Sequence, residues 1–312
     1  MIPSGARVTI IALLLALAAT ATLHLEQARP SAGPKLLVII VVDQMRFDYL
    51  DRYAKFAQRG LKRLVTEGAV FERAAYPYAT TVTCAGHATI ATGSVPATHG
   101  IISNEWWSRA DGRRILCTDD AGATSLPYLG APEKGSHSAR RLRVPTLGDR
   151  LRAANQDARV VTLSMKPRSA IMLGGHSGTA VTWFVDATHG WATSSAYSTH
   201  AMPEVQAFIA ANPIERDRTE IWNPINAASF AGVDNAPGER PKRGWTATFP
   251  HPLAGAPGTP EGQFFELWKC SPYANHYLAA MAVAQARSFR LGQRDAVDLL
   301  GISFSGLDCV GH

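Results

Sequence analysis

Cysteine is scarce in this 312-residue chain: four in all, at positions 84, 117, 270 and 309, with no C-x-x-C pair among them. That leaves no dithiol or zinc-ribbon signature, and spacing alone does not fix which cysteines pair. In an exported protein Cys117 and Cys270 are free to pair. Cys84 and Cys309, each beside a residue singled out below, read as small buried thiols. Long apolar runs are also lacking. The one candidate, Val8 to Ala18 (VTIIALLLALA), is shorter than the roughly 20 residues a bilayer span takes. With Arg7 before it and Ala19-Thr20-Ala21 after it, the run has the form of a signal peptide with a small-x-small cleavage site. Residues 1–28 are therefore read as a signal peptide and the start of a linker, and the protein as exported, periplasmic or secreted; an uncleaved N-terminal anchor is the alternative. No stable membrane span is expected after cleavage.

Aromatics make up 8% of the chain and the formal net charge is +6. The basic clusters, Arg140-Arg141-Leu142-Arg143 and Arg240-Pro241-Lys242-Arg243, have no aromatics interleaved, so no base-stacking surface is written here and nucleic acid is not an expected partner. Scattered positive charge attracts anionic substrates only weakly at physiological salt. Internal repeats and low-complexity tracts are absent.

What is present is a 46% hydrophobic chain, enough for a large core. After a Pro/Ser/Gly linker (29–34), Leu36 to Val42 is a continuous β-branched run of the kind buried on both faces of a parallel sheet. Arg159 to Ser164 and Asp298 to Ser303 repeat the pattern, and Thr182 to Asp186 reads as a strand before a His-Gly turn at His189. Between them the spacing predicts one helix over Phe47 to Glu67, a short strand over Ala69 to Ala74, a small-residue helix over Ala85 to Thr92 ended by Gly93, a short helix at Ala170 to Leu173, and a helix from Tyr273 to about Arg287 opened by Ser271-Pro272. Residues 212–263, dense in Pro, Gly, Asn and Trp, read as an insertion or lid, folded around Trp222 and Trp245.

Chemistry-bearing residues gather just past the ends of predicted strands, where open α/β sheets place their ligands. Asp43 and Asp308 are hard oxygen donors suited to zinc, magnesium or manganese. His312, four residues after Asp308, falls on the same face of a helical turn; helix capping is the bland alternative for both acids. Thr83 is a nucleophile only if something lowers its hydroxyl pKa, as a divalent metal does; otherwise Thr80, Thr81 and Thr83 simply cap the following helix. Lys166 and Arg168, alternating in an extended segment, would project two cations to one side to meet a phosphate dianion, or form an ordinary exposed loop. Asn104 either donates to a phosphate oxygen or fixes a turn. His87 and His99 read as backbone-bonding structural residues around the Thr83 loop.

Together the blocks VVDQMRFDYL, TVTCAGHATIATGSVPATHGIISNEWW, SMKPRSAIMLGGH and SFSGLDCVGH resemble the alkaline phosphatase superfamily, specifically its exported branch with a threonine nucleophile, the PafA-type alkaline phosphatases. The likeness runs from about Lys35 to His312. It implies a three-layer α/β/α sandwich on a mostly parallel central sheet, with a domain over 35–312. It also implies a zinc-dependent phosphate monoester hydrolase working through a phosphothreonine. Thr83 would be the nucleophile and, with Asp43, a ligand of one Zn2+; Asp308 and His312 would hold the second; Asn104, Lys166 and Arg168 would bind phosphate oxygens. The related nucleotide pyrophosphatases/phosphodiesterases share the Thr and Asn but lack the Lys-x-Arg pair, so phosphodiester cleavage is the alternative activity. The expected partners are small-molecule phosphate esters, handled by a monomer. Family members also supply an Asp-His pair and a further His that nothing here matches. The chain is accordingly expected to be the N-terminal part of a longer protein, with the sheet C-terminally incomplete, or else a non-catalytic truncated fragment.

Overall fold

The computed structural model describes residues 33–225, 238 and 240–311. The signal-peptide reading of 1–28 and the ligand reading of His312 lie outside the described residues.

In chain order the elements are β1 (Leu36–Val42), α1 (Asp48–Tyr53), α2 (Gly60–Glu67), α3 (Thr83–Thr92), α4 (Pro96–His99), β2 (Glu105–Ser108), β3 (Arg113–Leu116), β4 (Ser125–Pro127), α5 (Leu147–Ala154), β5 (Val160–Ser164), α6 (Pro167–Gly174), β6 (Ala180–Val185), β7 (Gly190–Ser194), α7 (Pro203–Ala211), β8 (Ile221–Trp222), β9 (His251–Pro252), α8 (Gln263–Lys269), α9 (Pro272–Ser288), β10 (Asp298–Phe304) and α10 (Gly306–Gly311). The main sheet has the order β1-β10-β5-β6-β7-β4. Its first four strands are parallel, and β7 and β4 are antiparallel.

Strand periodicity explains the layers. Along β6, Ala180 and Phe184 face one hydrophobic cluster, with Leu278 and Met281 of α9, Val205 of α7 and Trp268 of α8. The alternating Val181, Trp183 and Val185 face the other, with Ala88 of α3 and Ile171 and Met172 of α6. A β6 side chain thus points to a different helical layer at each step, which is the expected α/β/α arrangement on a mostly parallel sheet. Both clusters are dense in fully buried side chains, Trp183, Trp268 and Leu163 among them. Truncating one such residue costs about 2–5 kcal/mol.

Several expectations need correction. The helix over Phe47 to Glu67 is broken: α1 passes into a 3-10 turn at Ala54–Phe56, and Arg59 takes a left-handed φ of 66° before α2 starts at Gly60. A non-glycine residue in that conformation cannot continue a right-handed helix. Ala69 to Ala74 forms no strand, because no neighbouring strand pairs with it. β1 is not buried on both faces: it lies at the sheet edge, and Val38 and Ile40 are about half exposed at 49% and 54%. The cysteines pair as Cys84–Cys117 and Cys270–Cys309, not Cys117 with Cys270. The reason is topological: the first bond joins the start of α3 to the segment after β3, and the second joins the α8–α9 junction to α10. No free thiol remains at Cys84 or Cys309.

In the Trp-rich stretch Trp222 and Trp245 do meet, edge to face at 5.6 Å, and Trp245 stacks on His251 at 4.8 Å. β8 and β9 pair beside them.

Candidate functional site

Three parallel strands end side by side, and each delivers one charged residue. Asp43 directly follows β1, Lys166 lies two residues past β5, and Asp308 sits in the first turn of α10 just after β10. The Asp43 N–H donates to the Phe304 carbonyl (2.9 Å), which extends the β1–β10 ladder by one step and brings the two aspartates together. Gln44, whose Nε2 donates to Gly311 O (3.2 Å), ties the same corner to the end of α10. Gly306, the first residue of that helix, packs against α9, where a Cβ would lie 2.7 Å from the side-chain amide of Asn275.

The Lys166 Nζ donates to Asp43 Oδ2 (2.6 Å) and to Asp308 Oδ2. Asp308 is therefore inside a helix with its carboxylate on an ammonium, not an N-cap. Burial alone would raise the Asp43 carboxyl, but Lys166, His87 and the Thr83 hydroxyl outweigh it and hold Asp43 below the usual carboxylate value.

Thr83 is the first residue of α3, and Val82 is the N-cap with no side-chain capping bond. The Thr83 hydroxyl instead donates to Asp43 Oδ2 at 3.2 Å. Helix capping is thus not its role. At the other end, Gly93 closes α3 in the left-handed region at φ 66°, where a β-carbon would be strained.

Asn104 accepts the Cys84 N–H on Oδ1 at 2.8 Å. That bond fixes the start of α3 and leaves the amide NH2 as donor. His87 behaves as expected: its Nδ1–H donates to the Thr83 carbonyl (2.7 Å), so its Nε2 accepts from Ser303 Oγ (2.7 Å). His99 accepts the Ile101 N–H on Nδ1 (3.1 Å) and meets Thr89 through Nε2 (3.1 Å).

The extended K-P-R reading is corrected in detail. Lys166 is the extended N-cap of α6, but Arg168 is already helical behind the proline, so the pair does not alternate along a strand. Both nevertheless face the acidic corner. Burial pulls the Arg168 guanidinium below its ordinary value against the attraction of Asp43, Asp308 and Asp186. Its buried Nε has no hydrogen-bond partner in the structure. A cavity of about 600 Å³ opens beside Asn104 and Arg168, lined also by Glu133, His137, Phe184 and Asp186. Glu133, His137 and Ser303 carried no signal in sequence, because only the fold brings them near the site.

A sequence profile of the type I phosphodiesterase / nucleotide pyrophosphatase family matches residues 37–312, and the chain belongs to that family. It is 35% identical over 287 residues to the alkaline phosphatase PhoV of Synechococcus elongatus, covering 90% of this chain and 51% of that protein. It is also 35% identical over 293 residues to the alkaline phosphatase PafA of Elizabethkingia meningoseptica, covering 89% and 52%. The crystal structure of wild-type PafA superposes with a TM-score of 0.78 at 33% identity, over 89% of this chain and 54% of that one. A PafA variant substituted at a threonine, an asparagine, a lysine and an arginine superposes equally well, at 31% identity and with the same coverage. The chain thus spans about half the length of these relatives.

Proposed function

We propose that this chain carries the nucleophile and phosphate-binding part of an exported, zinc-dependent phosphate monoester hydrolase. The observation that carries the reading is the convergence at one corner of the sheet. Thr83 Oγ1 lies 3.2 Å from Asp43 Oδ2, with Lys166 on the same oxygen, and Arg168, whose buried Nε has no hydrogen-bond partner, feels the charge of Asp43. The four residue types substituted in the PafA variant recur at the same intervals along this chain as Thr83, Asn104, Lys166 and Arg168. Paired cysteines at 84–117 and 270–309 support export to an oxidising compartment, and a signal peptide over 1–28 would provide it. Residues 212–263 would pack on the scaffold as an insertion.

The donor chemistry suits a divalent cation: two carboxylates and a hydroxyl, with an ammonium already drawn between the carboxylates. Among the described residues no group of three or more His, Cys, Asp or Glu is placed to hold a metal. Asp43 and Thr83 would hold one zinc, and Asp308 with His312 the other. Bound zinc would supply Lewis acidity that lowers the pKa of the nucleophile and stabilises the leaving oxygen.

The chain's own residues do the rest. Thr83 Oγ1 gives up its proton and forms a bond to phosphorus as the ester P–O bond breaks and the leaving oxygen takes up a proton. Water then attacks phosphorus, the Oγ1–P bond breaks, Oγ1 regains a proton from the attacking water, and phosphate is released. Asn104, Lys166 and Arg168 hold the non-bridging oxygens, and the two cations match the extra charge of a monoester.

Changing both Lys166 and Arg168 to Ala should depress monoester turnover far more than diester turnover; an equal loss on both substrates would favour phosphodiesterase activity instead. Zinc content below about one per chain would leave a non-catalytic fragment as the better description.

A further inference from the structure

We propose that Lys166 is a built-in counter-cation for the Asp43–Asp308 pair, and that a divalent metal displaces it toward the phosphate site, coupling cation and anion binding. The inference rests on the preceding assignment of Asp43 and Asp308 as metal ligands.

The side chains of Asp43, Asp308 and Lys166 are only 12%, 15% and 17% exposed. Two mostly buried carboxylates this close repel one another and lose hydration, so the folded corner needs positive charge. The structure provides it by aiming one ammonium at the Oδ2 atom of each aspartate. A divalent ion and an ammonium cannot both occupy that position.

The backbone of Lys166 is fixed. Its N–H donates to Ser164 Oγ (3.2 Å), and its carbonyl accepts from Ser169 (3.1 Å) and Ala170 (3.3 Å) in the first turn of α6. The four-carbon stem is flexible, so the head group can move while the backbone stays. Its nearest alternative task lies two residues on, where Arg168 waits in the same charged corner without a hydrogen bond at Nε. Arg168 feels the aspartates but makes no hydrogen bond or ion pair to them, so it does not compete for the cation position.

Two consequences follow from linkage. Metal binding in the wild type must break the Lys166 ion pairs, which weakens it. Once released, Lys166 can contribute to an anion, and by reciprocity the anion then strengthens metal binding.

The test uses the full chain, freed of metal by a chelator, as wild type, K166Q and R168Q. Zinc affinity is measured by competition with a chromophoric chelator. Inorganic phosphate affinity is measured with and without zinc. K166Q should bind zinc roughly tenfold more tightly or better, while R168Q should change it less than about threefold. Zinc should tighten phosphate binding in the wild type, and that enhancement should shrink in K166Q.

Equal zinc affinity of wild type and K166Q overturns the displacement while leaving the metal assignment intact. An equal gain in R168Q overturns it too, because bulk positive charge would then explain the effect. No zinc binding by any of the three proteins overturns the assignment itself and the inference with it. A metal-independent readout accompanies these: K166Q should lower the melting temperature of the metal-free protein by about 5 °C, and adding Asp308→Asn should restore part of the loss. Independent, additive effects of K166Q and D308N would also sink the proposal.

Discussion

The ring of His87 reaches Ser303 Oγ at 2.7 Å and thereby pins the start of α3 to the end of β10. Its other nitrogen holds the carbonyl of Thr83. One imidazole therefore sets the distance between the threonine hydroxyl and the strand that leads to Asp308. The ring is almost fully buried, and burial pushes its pKa down against the attraction of Asp43, so it serves as a neutral two-ended link. His87→Ala removes both bonds and leaves Ser303 unpaired in a closed space. The expected loss is about 2–4 kcal/mol, read as a lower denaturant midpoint with an unchanged slope. Ser303→Ala removes only one bond and should cost about 1 kcal/mol. A His87→Ala effect no larger than that of Ser303→Ala would mean the Thr83 contact contributes nothing.

How much of this was legible beforehand follows from the kind of signal each feature leaves. β5, β6 and β10 were readable because strands buried on both faces are continuous apolar runs, and α9 because Ser271 and Pro272 mark its start. β2 and β3 were not: EWWS and RRIL are short, mostly exposed, and joined through Asp111-Gly112 without an apolar run. The edge position of β1 is equally hidden, since its run has the same composition as a central strand and only its pairing with a single neighbour, β10, distinguishes it. At the site, residue type and position in the chain point to Asp43, Thr83, Asn104, Lys166 and Arg168, and the fold gathers them. The Lys166 bridge leaves no such signal, because the contact spans 123 residues to Asp43 and 142 to Asp308. Local spacing cannot encode a separation of that size.

The edge strand offers a contrast at fixed chemistry. Val38 in β1 is 49% exposed, and Val161 in β5 is fully buried in the main cluster. Valine and threonine are nearly isosteric, so replacing either by Thr tests burial of a hydroxyl rather than volume. Val38→Thr should change stability by less than about 0.5 kcal/mol, and Val161→Thr should cost about 1–3 kcal/mol. Equivalent losses at the two positions would show that the outer face of β1 is covered in solution.

Both disulfides adjoin candidate site residues: Cys84 follows Thr83 and Cys309 follows Asp308. They close loops of 33 and 39 residues. Constraining the unfolded chain over such loops contributes about 3–4 kcal/mol each. The double variants Cys84→Ser/Cys117→Ser and Cys270→Ser/Cys309→Ser should each melt several degrees lower, and reduction of the wild type should lower its melting point further than either. A reduced wild type that melts with the oxidised protein would show that the crosslinks do not form.

The clearest pH signature should come from a pair away from the site. Asp149 completes a capping box with Thr146 at the start of α5, and it also accepts from Ser177 and from the backbone and ring of His176. Burial alone would raise its carboxyl, yet these donors drive it far below the ordinary range. The same contact raises His176, against a smaller opposing effect of burial. The signs are opposite. The depressed carboxyl stabilises the fold above its unfolded value, about 3.9, and that stability is lost as pH falls through the folded value. The raised imidazole stabilises below its unfolded value, about 6.5, and its share disappears as pH rises through the folded value. The pair therefore contributes most between those two unfolded values. His176→Asn should melt below the wild type near pH 5.5, and the gap should narrow by about pH 8. Asp149→Asn should be destabilised at both pH values, because the backbone N–H groups of Thr146, His176 and Ser177 donate to its two carboxylate oxygens, and an amide keeps only one of those acceptors while losing the charge. A gap for His176→Asn that stays constant from pH 5.5 to 8 would show that the imidazole acts as a neutral hydrogen-bonding group and carries no charge in the folded protein.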